Sequence, residues 1–263
     1  MDLTWFDSNS WLIEMAGARV LLDPWLVGDL IFGNAPWFFK ATHRQPIAIP
    51  DNLSFILLSQ GLPDHAHVET LSQLDRSIPV VGSPNAAKVA KSLGFQTVAA
   101  LAHTETFIWN QTLEVRAFPG SLVGPQLVEN AYVLTDLHDR TKLYYEPHGN
   151  HSPTLKAAAP VDVVIAPLID LKLPLVGAFI RGGDRALDLI QWLQPQAVLP
   201  TTIDGEIESE GFLNKLISAE GTLEGFCDRL HQVLPAARVL IPKPGQRLSI
   251  PLQTVPQNLQ IAS

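Results

Sequence analysis

Cysteine is almost missing. The 263-residue chain has one, Cys227, so no internal disulfide can form and nothing calls for an oxidising compartment. Charge is sparse at 17% of residues, and basic charge is the scarcer kind: 18 Lys and Arg against 26 Asp and Glu give a formal net charge of -8. A nucleic-acid surface, which needs clustered Lys and Arg, is therefore not expected. No apolar run is long enough to span a bilayer. The opening MDLTWFDSNS lacks the basic start and apolar core of a signal peptide. The expectation is a soluble, cytoplasmic protein without a transmembrane segment.

What is present is a chain that can bury a sizeable core. Hydrophobic residues make up 46%, which excludes a disordered chain, while 21 prolines and 17 glycines imply many loops. No short-period repeat, low-complexity tract or composition break divides it. A single domain over residues 1–263 is the simplest organisation.

The first third reads as strands: Leu3–Phe6, Ser10–Met15 and Arg19–Leu22, the last ending at Asp23-Pro24. The aromatic-rich stretch from Trp25 to Pro50, containing Trp37 and Phe38, reads as a lid or binding loop. Strands and helices then alternate. Phe55–Leu58 is a strand, Val68–Leu74 a helix, and Asn85–Leu93 an amphipathic helix closed by Gly94. A second β-rich block follows, then the strand Val161–Ala166 and the helices Arg185–Leu193 and Leu223–Leu234. A β-rich block with helical crossovers thus occurs twice. Two mixed sheets packed face to face with helices outside satisfy that pattern, an α+β fold.

Two stretches carry chemistry. "SQGLPDHAH", residues 59–67, follows a buried-looking strand and ends in Asp64-His65 and His67, as strand-end metal clusters do. Gln60 and Leu62, however, stand where such clusters usually carry histidines. Asp64, after Pro63, equally suits the N-cap of the next helix, accepting the amide of Ala66 or His67. "EPHGNH" places Glu146 two residues from His148, with His151 beyond. A carboxylate beside an imidazole can orient it and raise its basicity, a general-base arrangement. It can equally be a strand end followed by a Pro-Gly turn.

Two apolar segments complete the inventory, "LIFGNAPWFF" and "DLKLPLVGAFIRGGD". Exposed, they would line an apolar pocket or dock a protein partner; buried, they would pack on each other. Asp170, Arg181 and Asp184 bracket the second and are candidates to fix a polar head group.

"TWFDSNSWLIEMAGARVLLDPWLVGD" resembles the opening of the metallo-β-lactamase superfamily, in particular its lactonase-like branch, where three strands end in a Leu-Leu-Asp-Pro-type turn. The resemblance implies a four-layer αββα sandwich with the active site along one edge. It also implies a ligand set. The family's T-H-x-H-x-D-H cluster falls on Ser59 to His65, keeping Asp64 and His65 but putting Gln60 and Leu62 in place of two histidines. A mid-chain histidine falls on Gly120 or Ser121, the bridging aspartate near His148, and the last histidine on Thr202. By that mapping the first metal site is lost.

Asp64, His65 and His148 would then hold at most one zinc, manganese or iron ion, at ligand distances of ~2.0–2.3 Å for zinc. Glu146, His67, His151 or a water would be the fourth ligand. The resulting expectation is a hydrolase of a small ester, lactone or phosphoester with an apolar part. Glu146 and His148 would be catalytic, and His67, His151, Trp37, Phe38 and Asp170 would contact the substrate. The alternative is a non-catalytic binding or assembly protein that keeps the fold.

Overall fold

The structure, a computed structural model, describes residues 1–123, 126–201, 203 and 205–253. Two seven-stranded sheets dominate it. The first runs, edge to edge, Arg247–Ser249, Asp2–Trp5, Trp11–Met15, Ala18–Leu22, Phe55–Leu58, Val80–Gly82 and Val98–Ala100. The second runs Arg238–Val239, Ala197–Pro200, Val163–Ala166, Lys142–Tyr145, Leu127–Asp136, Leu113–Val123 and Thr106–Trp109.

Side-chain alternation explains the layering. Val20, Leu22, Phe55 and Leu57 point from the first sheet into a core shared with Val115, Tyr132, Leu134, Tyr145, Val163 and Leu199 of the second. Their neighbours Leu21, Ile56 and Leu58 point the other way, onto Leu71 and Ala86 of the helices Val68–Gln73 and Pro84–Ser92. On the far side, Val133, Tyr144, Val164 and Val198 pack on Leu189, Ile190 and Phe226 of the helices Gly183–Leu193 and Leu223–Val233. Strands buried on both faces read as unbroken apolar runs, and Phe55–Leu58, buried at all four positions, is one. This is the expected αββα sandwich.

Strand direction places the functional edge. Ala18–Leu22, Phe55–Leu58 and Val80–Gly82 are mutually parallel, as are Lys142–Tyr145, Val163–Ala166 and Ala197–Pro200. Neighbouring parallel strands end on the same side, so within each sheet the C-terminal loops of these strands collect at one edge, the usual position for ligands in sheets with parallel strands.

Several expectations are corrected. Trp25–Pro50 is not a structureless lid: Leu30–Ile31 and Lys40–His43 pair with each other, and Ile207–Glu210 joins them in a three-stranded sheet. Trp25 is fully buried. "DLKLPLVGAFIRGGD" is a hairpin, Asp170–Leu173 and Gly177–Ile180, with Ser218–Glu220 on its open side. The tips of these two segments are not core, since Trp37 is 73% exposed and Val176 equally so.

The layering predicts where truncation costs stability. Leu57→Ala, at a fully buried site between the sheets, should lower the unfolding free energy by about 2–5 kcal/mol. Leu122→Ala, at a residue 58% exposed, should change it by less than about 0.5 kcal/mol. Urea denaturation of both variants checks this, and equal losses would contradict the assigned core.

Candidate active site

Asp23 ends the third strand in a left-handed conformation (φ 43°), which short polar side chains tolerate. That turn buries its carboxylate completely. Oδ1 accepts the backbone amide of Ser59 at 2.6 Å. Oδ2 meets Ser59 Oγ at 2.5 Å, Tyr145 Oη at 2.7 Å and His65 Nδ1 at 2.7 Å. Tyr145 belongs to the opposite sheet, so one carboxylate ties both sheets to the loop that carries His65.

His65 lies between two carboxylates, with Asp64 Oδ2 3.2 Å from its Nε2. Burial works to lower its pKa, but Asp64 and then Asp23 outweigh that and raise it to about 10. Asp64 is also taken out of water, which opposes ionisation, yet the charge on His65 holds it at about 2. Asn9 Nδ2 completes this wall, 3.4 Å from Asp64 Oδ2.

His148 comes from the other sheet. Its ring stands perpendicular to that of His65, centroids 5.1 Å apart. Desolvation, and then the charge on His65, push its pKa down to about 4, so it is neutral at neutral pH. Gly149 makes the turn possible: at φ 78° a Cβ there would lie 1.6 Å from the Arg181 carbonyl oxygen. Glu146 is fully buried, and burial lifts its pKa to about 7 against the donors around it. It accepts the backbone amides of His148 at 3.2 Å and Asn150 at 2.8 Å, and the hydroxyl of Ser121. The sequence had implied a direct pairing of Glu146 with the His148 imidazole, but among the described residues its hydrogen bonds go to these backbone amides and to Ser121 instead. Ser121 stands between them, 3.0 Å from His148 Nδ1.

A β-bulge aims Ser121. The register between Leu113–Val123 and Leu127–Asp136 shifts between Pro119 and Leu122. Gly120 lets the backbones close up, since a Cβ there would meet Ala131 N at 2.7 Å. Gln60 approaches the same nitrogen, with Nε2 3.0 Å from His148 Nδ1.

The donor set suits one cation. Asp64, His65 and His148 each offer one ligand atom within 4.8 Å of the others, and Asp64 Oδ1 is buried with no hydrogen-bond partner among the described residues. An imidazole that gives its other nitrogen to a buried carboxylate, as His65 does to Asp23, is the usual support for a metal-ligating histidine.

Other residues singled out in the sequence sit elsewhere. His67, not Asp64, caps the helix Val68–Gln73: its Nδ1 accepts Thr70 N at 3.3 Å, and its Nε2 lies 3.3 Å from the Asp29 carbonyl. His151 bonds Tyr144 Oη at 2.9 Å, and its Nδ1 is 3.9 Å from Glu146 Oε2. Burial, then Arg185, lowers its pKa to about 3. His43 stacks on Trp25, ring centroids 4.1 Å apart. Trp37 and Phe38 pack edge to face in a loop that Phe212 and Leu213 hold through backbone hydrogen bonds. Asp170, Arg181 and Asp184 do come together, lining a cavity of about 220 Å³ with Arg185. Thr202 lies outside the described residues. The sequence reading missed the roles of Asn9 and Tyr145, placed Asp23 as a turn near the active-site edge without assigning it a partner, and gave Gln60, and Gly120 or Ser121, only as missing histidines. The Leu-Leu-Asp-Pro stretch was the one available signal for Asp23.

The fold is widely shared. Isothiocyanate hydrolase from Delia radicum gut bacteria superposes with a TM-score of 0.67 at 15% identity, covering 95% of this chain and 99% of that one. Igni18, a metallo hydrolase from the archaeon Ignicoccus hospitalis, gives 0.67 at 13%, covering 96% and 99%. The diiron β-hydroxylase CmlA from Streptomyces venezuelae gives 0.65 at 16%, covering 95% of this chain and 54% of that one. No curated protein matches the chain. At such identities these likenesses show the fold alone. Residues 2–202 match the family model described as the beta-lactamase superfamily domain, and the chain belongs to that family.

Proposed function

We propose that the protein is a hydrolase dependent on a single metal ion, acting on a small ester, lactone or phosphoester. The observation that carries this reading is the convergence of Asp64, His65 and His148 within 4.8 Å, with a buried, unpartnered oxygen on Asp64. Zinc, manganese and iron all accept such carboxylate and imidazole ligands. When bound, the ion supplies Lewis-acid polarisation of a carbonyl or phosphoryl group. The chain's own residues position it. Asp23 fixes the His65 ring, Asn9 supports Asp64, and Glu146 with Ser121 holds the turn that carries His148.

The fold does not choose the reaction, because it serves both hydrolysis and diiron hydroxylation among the similar structures. Trp37, Phe38 and Asp170 are proposed as substrate contacts. His67 and His151 are weaker candidates, because each already bonds a neighbour. The exposed Trp37, Leu175, Val176 and Phe212 favour a second reading, a non-catalytic protein that docks a partner through these apolar tips.

Elemental analysis of purified protein should find at most one transition metal per chain. Asp64→Ala and His65→Ala should abolish binding. His67→Ala should leave binding intact and cost about 0.5–2 kcal/mol of stability through the lost helix cap. Two tightly held ions per chain would contradict the assigned donor set.

Activity separates the two readings. On ester, lactone, phosphodiester and isothiocyanate panels with added zinc, manganese or iron, His148→Ala should lose turnover by orders of magnitude while remaining folded. Activity that survives both His65→Ala and His148→Ala would reject the assignment. No activity and no retained metal in the wild type would favour the docking protein.

A further inference from the structure

Asn9 is buried against two atoms of the proposed metal site. Its Nδ2 lies 3.4 Å from Asp64 Oδ2 and 3.5 Å from His65 Nε2, and those two atoms are 3.2 Å apart. We propose that Asn9 is the fourth ligand of the ion, binding through Oδ1 once the amide has turned over, beside Asp64, His65 and His148; this rests on the metal-site reading above.

Spacing carries the assignment. Four ligands set tetrahedrally at ~2.0–2.1 Å from an ion stand about 3.3–3.4 Å from one another. The edges of the triangle formed by Asn9, Asp64 and His65 bracket that value, so the three side chains already form one face of such a site. His148 faces the same place, with a ring nitrogen within 4.8 Å of the Asp64 and His65 ligand atoms. The side chains that the sequence offered as a fourth ligand are engaged elsewhere. His67 caps a helix, His151 bonds Tyr144, and Glu146 holds Ser121 and two backbone amides.

The amide is free to turn. Among the described residues its side chain makes only the two contacts above, and both exceed the ~2.7–3.2 Å usual for a hydrogen bond from nitrogen. Without an ion, the Asp64 carboxylate selects the amide nitrogen, because a carboxylate accepts and only the NH2 group donates. A cation reverses that choice, because only Oδ1 has lone pairs to offer it, and asparagine carbonyls are ordinary ligands of divalent cations. The backbone, by contrast, is fixed. Asp7 and Ser8 are consecutive left-handed residues, φ 72° and 48°, a conformation that persists only where the surroundings enforce it and that gathers at functional sites. Asp7 Oδ1 accepts the amide of Glu206 at 3.0 Å, and Ser10 Oγ donates to the Asp23 carbonyl at 2.9 Å. The turn that presents Asn9 is therefore pinned to the same residue that fixes the His65 ring.

The test uses cobalt(II), whose absorption spectrum reports its ligands, on the full chain. Asn9→Leu, which keeps the bulk and removes the donor, should weaken cobalt binding by at least about 10-fold in a chelator competition, since even residues that only support a ligand have effects of that size. Asn9→Asp separates a ligand from a support. As a ligand position it should bind cobalt at least as tightly as the wild type, whereas an amide that only donates to Asp64 would be replaced by a repelling carboxylate and affinity would fall. Asn9→Cys should add a thiolate-to-cobalt charge-transfer band, absent from the wild type and from Asn9→Leu, because only sulfur bonded to the ion produces it; the longer metal–sulfur bond, ~2.3 Å, offsets the shorter side chain. Thermal melts confirm that each variant is folded. Unchanged affinity in Asn9→Leu, weaker binding in Asn9→Asp, or a cobalt-loaded Asn9→Cys without the band would overturn the assignment and leave the metal site standing. A wild type that takes up no cobalt would defeat the metal reading itself, and the ligand assignment with it.

Discussion

The site depends on one buried carboxylate. Asp23 is cut off from water and receives a backbone amide, a serine hydroxyl, a tyrosine hydroxyl and an imidazole nitrogen. A buried acceptor is costly unless its partners are in place, and each partner is equally costly to leave unpaired. The four donors therefore hold one another in position. Because one of them, Tyr145, belongs to the opposite sheet, the same bonds set how the two sheet edges meet. His65 reaches Asp64 and faces His148 only while that arrangement holds.

Around this anchor the charges form a graded set. His65, between Asp23 and Asp64, is driven toward the cationic form, whereas His148, 5.1 Å away, is driven toward the neutral form. Two carboxylates facing a single imidazole attract positive charge, which a proton satisfies in the free chain and a divalent cation satisfies in the proposed enzyme. Glu146 is the counterpart on the second sheet, a buried carboxyl that organises a turn through backbone amides. Its influence on His148 passes through Ser121, which only a β-bulge brings inward. Of the positions where the family resemblance places histidines, Gln60 and Ser121 thus converge on one ring nitrogen.

Much of the fold was legible in the sequence because burial on two faces leaves a simple signature. Phe55–Leu58 matches its predicted span residue for residue, and the helix Pro84–Ser92 lies one residue from its expected limits, with Gly94 beyond its end as expected. Short strands that rest on distant partners were not legible. Lys40–His43 is a strand because Ile207–Glu210 lies beside it, more than 160 residues along the chain, and no local period reveals that pairing. Asp64 looked like a helix cap by composition, yet the cap is His67, since the chain makes a further turn after Pro63 before the helix starts.

The sequence by itself determined the residue types: an acidic, cysteine-poor chain with short apolar strand runs, an Asp-His pair after a buried strand and a Glu-x-His after another. Those patterns are local, and local patterns report burial and turn chemistry directly. Tertiary structure alone decided which of those residues meet. His65 and His148 are 83 positions apart and touch because parallel strands in two packed sheets end at one edge. Asp23, Gln60 and Ser121 acquired partners for the same reason, because a hydrogen bond depends on distances of about 3 Å that only the packed chain sets.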